Sequence, residues 1–142
     1  MPRSYFKIYL HLIWTVKNRE PLLSLDIEQS VTDIIKMKAE KYKANVIAIG
    51  NTDDHIHLLV STHPDTVISA MIKEMKAASS YYVNHDLGKL LYWQDTYGAL
   101  SVSKIGLEKV REYVISQKKY HLQNNTFRSF EISNDDTNPI VG

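Results

Sequence analysis

The chain has 142 residues, 44% of them hydrophobic and 23% charged, a composition that fits one globular domain and gives no reason to expect a second. A net charge of +1 is too small to indicate a nucleic-acid binder by itself, and the absence of cysteine excludes disulfides, zinc–thiolate sites and thiol redox chemistry. Because no apolar run approaches the ~20 residues that cross a bilayer, we expect a soluble, cytoplasmic protein without a membrane partner.

Seven predicted elements follow one another in the order strand, helix, strand, strand, helix, strand, helix. Alternating apolar and polar residues, rich in aromatic and β-branched types, predict strand-forming segments at 5–16, 45–50, 55–61 and within 90–103. Apolar residues at helical spacing predict helices over 25–43, 65–84 and from 105 to about 122.

The first six elements have the order of the split βαβ pattern, which predicts an α+β protein of ferredoxin-like (RRM-like) fold. In that fold an antiparallel sheet carries helices on one face, and the third helix is an addition. We therefore expect the other face to be open to a ligand or partner. One domain would span 1–123, and the polar, proline-containing tail at 124–142 would be extended or disordered.

The stretch "DDHIHLLVS" places two histidines at the start of the third predicted strand. Because side chains alternate along a strand, His55 and His57 share one face, and the apolar residues between and after them lie on the other. Their Cα atoms would be roughly 6.6 Å apart, which allows both rings to bind one metal ion at about 2.1 Å. The alternative is that the two rings only line a polar sheet face.

The third predicted helix contains "REYVISQKKYH". At helical periodicity Tyr113 and Gln117 stand four residues apart on one face, with Cβ atoms about 6 Å apart, so a phenol and an amide are presented together. The alternative is an amphipathic helix with a half-buried tyrosine and a solvated glutamine.

These motifs, together with "HLIWTVKNR" and "YWQDTYGALSVS" and in this order, resemble the single-tyrosine HUH transposases of the smallest bacterial insertion sequences, the IS-two-hundred type. REP-associated tyrosine transposases are relatives of that family. The resemblance runs from the first strand to the third helix, and it leaves only the tail uncovered. His-x-His alone is a weak pattern, whereas the ordered set is specific.

The resemblance implies that His55, His57 and Gln117 bind Mg²⁺ or Mn²⁺ and that Tyr113 is the nucleophile. It implies a homodimer, in which one subunit can lend its tyrosine to the histidines of the other. It also implies cleavage and rejoining of single-stranded DNA at hairpin-flanked element ends, through a 5′-phosphotyrosine link.

The donor set itself fits this metal imperfectly. Two imidazoles and an amide are neutral, and ligand preference alone would favour zinc or another imidazole-binding ion. DNA phosphates could add anionic ligands, and Asp53, expected on the same strand face as the histidines, could assist. On the family resemblance we expect magnesium or manganese.

Basic and aromatic side chains are candidates for DNA contact. The basic candidates are Lys17, Arg19, Lys73, Lys76 and Lys104, although most surface lysines are merely solvated. Aromatic candidates for base stacking are Trp14, Tyr92, Trp93 and Tyr97, with core or dimer packing as the alternative for each.

Two other functions compete with transposition. A ferredoxin-like sheet with an exposed aromatic and basic face is also how non-catalytic modules bind single-stranded RNA or DNA. This sequence lacks their aromatic–glycine signature, and "HIH" occupies a strand instead. The nearer competitor is a domesticated relative that cleaves genomic repeat hairpins, which only the flanking DNA would separate from a transposase.

Overall fold

The computed structural model describes residues 4–118, which form a four-stranded antiparallel sheet in the order β2-β3-β1-β4. The strands are β1 (Ile8–Thr15), β2 (Asn45–Asn51), β3 (His55–Thr62) and β4 (Gly98–Val102). The helices are α1 (Leu25–Lys41), α2 (Ile68–Tyr81) and α3 (Leu107–Ile115). A short 3-10 turn follows β1 at Lys17–Arg19, and a π-helical turn extends α2 at Tyr82–Asp86.

The main core lies between the sheet and the pair α1 and α2. Alternate residues of β1 and β3 point into it, and every second residue of the two strands is therefore apolar: Leu10, Leu12, Trp14, Ile56, Leu58 and Val60. From the helices come Ile27, Val31 and Ile35 of α1 and Met71, Ile72 and Met75 of α2. This arrangement confirms the predicted α+β, ferredoxin-like fold.

The opposite face of the sheet is covered by α3, and the expectation that it would be open is wrong. Val110 and Val114 pack against Ala48 of β2 and Leu59 of β3, which form a second, smaller core. The physical reason is the apolar stripe of α3 itself, since a helix with such a stripe must bury it against another element.

Several predicted boundaries shift by a few residues. β1 begins at Ile8, and only Gly98–Val102 of the segment 90–103 joins the sheet. Trp93 instead makes an isolated bridge with Val16. The predicted continuation of the third helix to residue 122 and the tail at 124–142 lie outside the described residues. Within 4–118 none of the helices has the length and apolar character needed to cross a membrane.

Candidate active site

The predicted site residues lie close together within a single chain, where α3 meets the sheet. The rings of His55 and His57 have centroids 5.0 Å apart, and the ring of Tyr113 lies 5.6 Å from that of His57. All three side chains are about 1% exposed or less, as is Gln117 one helical turn after Tyr113. The alternative of a plain amphipathic helix, with a half-buried tyrosine and a solvated glutamine, is therefore wrong.

The hydrogen bonds of the two histidines engage Nδ1 of each ring. Nδ1 of His55 lies 2.6 Å from the Asp54 carboxylate and 2.8 Å from the Thr52 hydroxyl. Nδ1 of His57 lies 2.8 Å from Nε2 of His11. Metal-binding histidines in proteins commonly engage one ring nitrogen in such a bond and ligate through the other. Nε2 is thus the ligating atom that this arrangement selects in both rings.

The amide of Gln117 is oriented in the same way. Its Nε2 donates a hydrogen bond of 2.8 Å to the backbone carbonyl of Tyr113. Because this bond engages the amide nitrogen, Oε1 is the atom that the side chain can offer to a metal. The residues present therefore fit a divalent ion held by two imidazoles and one amide oxygen.

The rest of the ligand set would have to come from outside the protein. Residues 4–118 contain no group of three or more His, Cys, Asp or Glu side chains placed to hold a metal. A hard ion such as Mg²⁺ or Mn²⁺ prefers anionic oxygen ligands, which these residues do not supply directly. Phosphate oxygens of a bound nucleic acid are the donors that would complete such a site.

The acidic residue at the site is Asp54, and the expectation that Asp53 would assist is wrong. Asp53 lies exposed in the turn before β3, whereas Asp54 contacts His55 and pairs with Arg19 at 3.4 Å. Burial alone would raise the pKa of the Asp54 carboxyl, but hydrogen bonds and charge from His55 and Arg19 outweigh burial and hold that pKa well below its usual range. Asp54 is therefore a carboxylate that orients His55.

The turn after β1 brings Arg19 to this position. Asn18 and Arg19 have φ values of 57° and 53°, in the left-handed region that non-glycine residues seldom adopt. The backbone N–H of Asn18 donates a hydrogen bond of 3.2 Å to Oε1 of Gln94. Arg19, predicted as a DNA contact, is instead paired with the carboxylate beside the histidines.

Gly50 allows α3 to approach the sheet beside the histidines. It pairs with His57 across β2 and β3. A Cβ at this position would lie 1.8 Å from the backbone oxygen of Val114 and 3.3 Å from Cγ of Gln117. Only glycine leaves room for the helix backbone at that distance. Gly50 could not be identified from the sequence, because nothing in the strand pattern shows which element packs on it.

Gly50→Ala is expected to push α3 away from the sheet and so separate Tyr113 and Gln117 from the histidines. A backbone atom is the obstacle, so the added methyl group cannot be absorbed by a side-chain rotation, and we expect a stability loss of about 1–3 kcal/mol. Chemical denaturation measures this loss, and a DNA-cleavage assay should show a matching loss of activity.

Gly106→Ala is the matched control at the other end of α3, where the nearest atom to a new Cβ is the Ser103 hydroxyl at 3.2 Å. It should change both measurements little. Wild-type stability and activity in Gly50→Ala would show that the close approach of α3 is not required.

A second group of predicted residues lines a cleft between α2 and the segment 92–97. Lys17, Lys73 and Lys76 line it together with the exposed rings of Tyr92 and Tyr97. Lys104 lies elsewhere, exposed in the turn before α3. Trp14 and Trp93 are buried and pack edge to face at 6.2 Å, which is the core role given as their alternative.

The two lysines of α2 differ in their surroundings. Nζ of Lys76 donates to the backbone oxygens of Gln94 at 2.6 Å and Thr96 at 2.9 Å, so this side chain ties the segment to α2. Burial lowers the pKa of Lys76 to about 8, with Asp95 acting in the opposite direction. Lys73 is exposed, which makes it the better placed of the two for a phosphate.

The sequence and the fold together place this chain in a family of transposases. A model of the family described as IS200-like transposases matches residues 4–117, and the chain belongs to that family. Its members are transposases, enzymes that transfer DNA strands in the transposition of insertion sequences, and they generally depend on a divalent metal. The resemblance found in the sequence motifs is thereby confirmed.

Individual relatives agree with this assignment. The ISDra2 transposase TnpA of Deinococcus radiodurans is 30% identical over 123 residues, which cover 81% of this chain and 88% of that protein. A crystal structure of a candidate transposase from Deinococcus radiodurans matches with a TM-score of 0.61 at 24% identity, covering 88% of this chain and 96% of that one.

A further solved structure is a REP-associated tyrosine transposase bound to a REP hairpin. It matches with a TM-score of 0.65 at 18% identity, covering 85% of this chain and 73% of that one. At 24% and 18% identity, the two structural matches support the fold alone.

Proposed function

We propose that this protein cuts and rejoins single-stranded DNA at hairpin-flanked element ends, with Tyr113 as the nucleophile. His55, His57 and Gln117 would hold Mg²⁺ or Mn²⁺ beside it. The observation that carries the proposal is the position of the Tyr113 ring, which is buried 5.6 Å from the His57 ring, with His55 and Gln117 also buried.

In the proposed step the phenol oxygen of Tyr113 attacks a backbone phosphorus. A new bond joins the tyrosine to the 5′ phosphate, the bond from phosphorus to the 3′ oxygen breaks, and the released 3′ oxygen takes up a proton. The bound metal would supply positive charge for the phosphoryl oxygens and for the leaving oxygen.

The reverse step rejoins the DNA without an external energy source. A 3′ hydroxyl attacks the phosphotyrosine, and the phenol leaves readily because its pKa of about 10 makes it a better leaving group than an alkoxide. The covalent link keeps the energy of the phosphodiester bond, so ATP is not needed.

Because the Tyr113 side chain is 1% exposed, we propose that α3 shifts to admit DNA and then returns Tyr113 to the histidines for the reaction. The apolar contact that holds α3 on the sheet is small, with Val110 and Val114 on the helix and Ala48 and Leu59 on the strands as its buried members. Opening such a contact costs far less than opening the main core.

For the hairpin and its single-stranded flank we propose the cleft lined by Lys17, Lys73, Tyr92 and Tyr97 as a contact surface. Exposed lysines neutralise phosphates, and exposed tyrosine rings can stack on unpaired bases. The solved structure of similar fold is described as bound to a REP hairpin, and we propose a DNA hairpin as the partner here as well.

Lys73→Gln is expected to weaken DNA binding and to lower the salt dependence of log K by about 0.7, the value for one phosphate contact on a single strand. Fluorescence anisotropy with a hairpin-bearing oligonucleotide at several salt concentrations measures both effects. Lys36→Gln, which removes an exposed lysine of α1, is the control. Equal effects in the two variants would show that the cleft is not a specific contact surface for DNA.

We also propose that the protein is a homodimer. The strands β2 and β4 are the two edges of the sheet, and edge strands with unpaired backbone groups are ready sites for pairing with a second copy. Light scattering at micromolar concentration is expected to give twice the chain mass of 16.4 kDa. The monomer mass with cleavage activity intact would rule out an obligatory dimer.

The experiment that tests the proposed chemistry is incubation with hairpin-bearing single-stranded DNA and Mn²⁺, followed by denaturing electrophoresis. We expect a protein–DNA adduct that survives denaturation, and we expect no adduct when the metal is chelated before the DNA is added. Binding without an adduct and without any effect of chelation would favour the non-catalytic module. A domesticated relative would form the adduct at genomic repeat hairpins. Inspection of the DNA beside the gene for imperfect palindromes would distinguish it from a transposase.

A further inference from the structure

A third histidine lies against the candidate metal site, on the neighbouring strand. His11 of β1 is fully buried, and its Nε2 is 2.8 Å from Nδ1 of His57. The two rings are nearly parallel, with centroids 5.0 Å apart and planes at 29°. The proposed roles of Tyr113, His55, His57 and Gln117 leave this residue unused.

The chemistry of the bond between the rings allows only two arrangements when both imidazoles are neutral. Either His57 donates from Nδ1 and His11 accepts at Nε2, or the direction is reversed. In the first arrangement the lone pair of His57 is on Nε2, and in the second a proton occupies Nε2. Only the first arrangement can bind a metal through Nε2.

We propose that His11 is a positioning residue that holds His57 in the tautomer with its proton on Nδ1. This inference rests on the proposed metal site. His11 does not ligate the metal, because its own Nε2 is the acceptor for His57, and its own ring proton then lies on Nδ1. It does for His57 what the Asp54 carboxylate does for His55.

Asp54 and His11, the residues that hydrogen-bond to the two histidines, differ in charge, and this difference has a chemical consequence. Asp54 is an anion whose charge is offset in part by the Arg19 guanidinium at 3.4 Å, whereas His11 acts in this arrangement as an acceptor without a charge. A site built from two carboxylate-supported histidines would carry one more negative charge. The neutral support therefore leaves more of the positive charge of the metal available to substrate phosphate.

The test compares His11→Phe with His11→Gln. Phenylalanine keeps a ring of similar size and removes the acceptor, whereas the glutamine amide oxygen can accept from His57 at nearly the position of Nε2. Binding of Mn²⁺ alone, without DNA, is measured by the electron paramagnetic resonance signal of the free ion. We expect His11→Phe to bind Mn²⁺ about 10–100-fold more weakly and His11→Gln to recover most of the affinity.

A second readout reports the tautomer directly and does not depend on metal. Nitrogen-15 NMR of the histidine rings in the metal-free wild-type protein should show the proton of His57 on Nδ1. In His11→Phe the proton should move to Nε2, the form that imidazoles favour in water. A purely structural role for His11 would lower the melting temperature without changing either readout.

Each result decides the question. A proton on Nε2 of His57 in the wild type, or Mn²⁺ affinity in folded His11→Phe within twofold of wild type, would overturn the inference and leave the proposed function standing. Failure of the wild-type protein to bind Mn²⁺ even in the presence of hairpin-bearing DNA would overturn both.

Discussion

Tyr113→Phe is expected to eliminate the covalent protein–DNA adduct completely and to leave DNA binding intact. The substitution keeps the ring, which is 1% exposed and packed against His57, and removes only the oxygen that would attack phosphorus. Denaturing electrophoresis with a labelled hairpin oligonucleotide detects the adduct, and anisotropy measures binding.

Tyr120→Phe is the matched control, because Tyr120 is the next tyrosine along the chain and the next candidate for the nucleophile. It should form the adduct at the wild-type rate. An adduct in Tyr113→Phe, or its loss in Tyr120→Phe, would move the chemistry to another residue.

His57→Ala or His55→Ala is expected to abolish cleavage, the other complete loss that the proposal predicts. Each variant removes one of the two imidazoles that would hold the metal. Mn²⁺ at about 100 times its dissociation constant should stabilise the wild-type protein by about 2.7 kcal/mol and stabilise neither variant. Thermal melting with and without Mn²⁺ measures this difference.

Loss of stability alone does not discriminate here, because both rings are buried beneath α3 and do not line an open face. His57→Ala also removes the hydrogen bond between His57 and His11, a loss of about 1 kcal/mol whatever the function of the site. The exposed His85 provides the control variant, His85→Ala, which should retain cleavage and the response to Mn²⁺. Metal-dependent cleavage persisting in His57→Ala would contradict the proposed ligand set.

The sequence predicted the fold well because its periodicities are strong. Alternation in β1 and β3 and the helical stripes of α1 and α2 each specify a buried face, and the order of elements leaves few ways to combine them. The same alternation placed His55 and His57 on one face, where the structure has them.

The position of α3 could not be predicted in this way. A helical stripe shows which side of a helix is buried, but it does not show which surface covers it. The close approach at Gly50 and the burial of Tyr113 both depend on that packing. A glycine gives no signal in the alternation of a strand, since it has no side chain to assign to a face.

The partners of the histidines were missed for a related reason. Alternation along a strand puts His11 on the face of β1 opposite Leu10 and Leu12, but its contact with His57 requires knowing that β1 lies beside β3. Asp53 and Asp54 are adjacent in a turn, where alternation does not apply, and Asp54 is the one that reaches His55. Long-range pairing and turn geometry are tertiary properties that local patterns do not contain.

The most direct test of the central claim is to identify the residue that carries the DNA. The adduct formed with a hairpin oligonucleotide is purified, digested with nuclease and protease, and analysed by tandem mass spectrometry for a tyrosine that retains a 5′-linked nucleotide. The account predicts a single modified residue, Tyr113, among the nine tyrosines of the chain. A nucleotide on any other tyrosine, or on none, would contradict it.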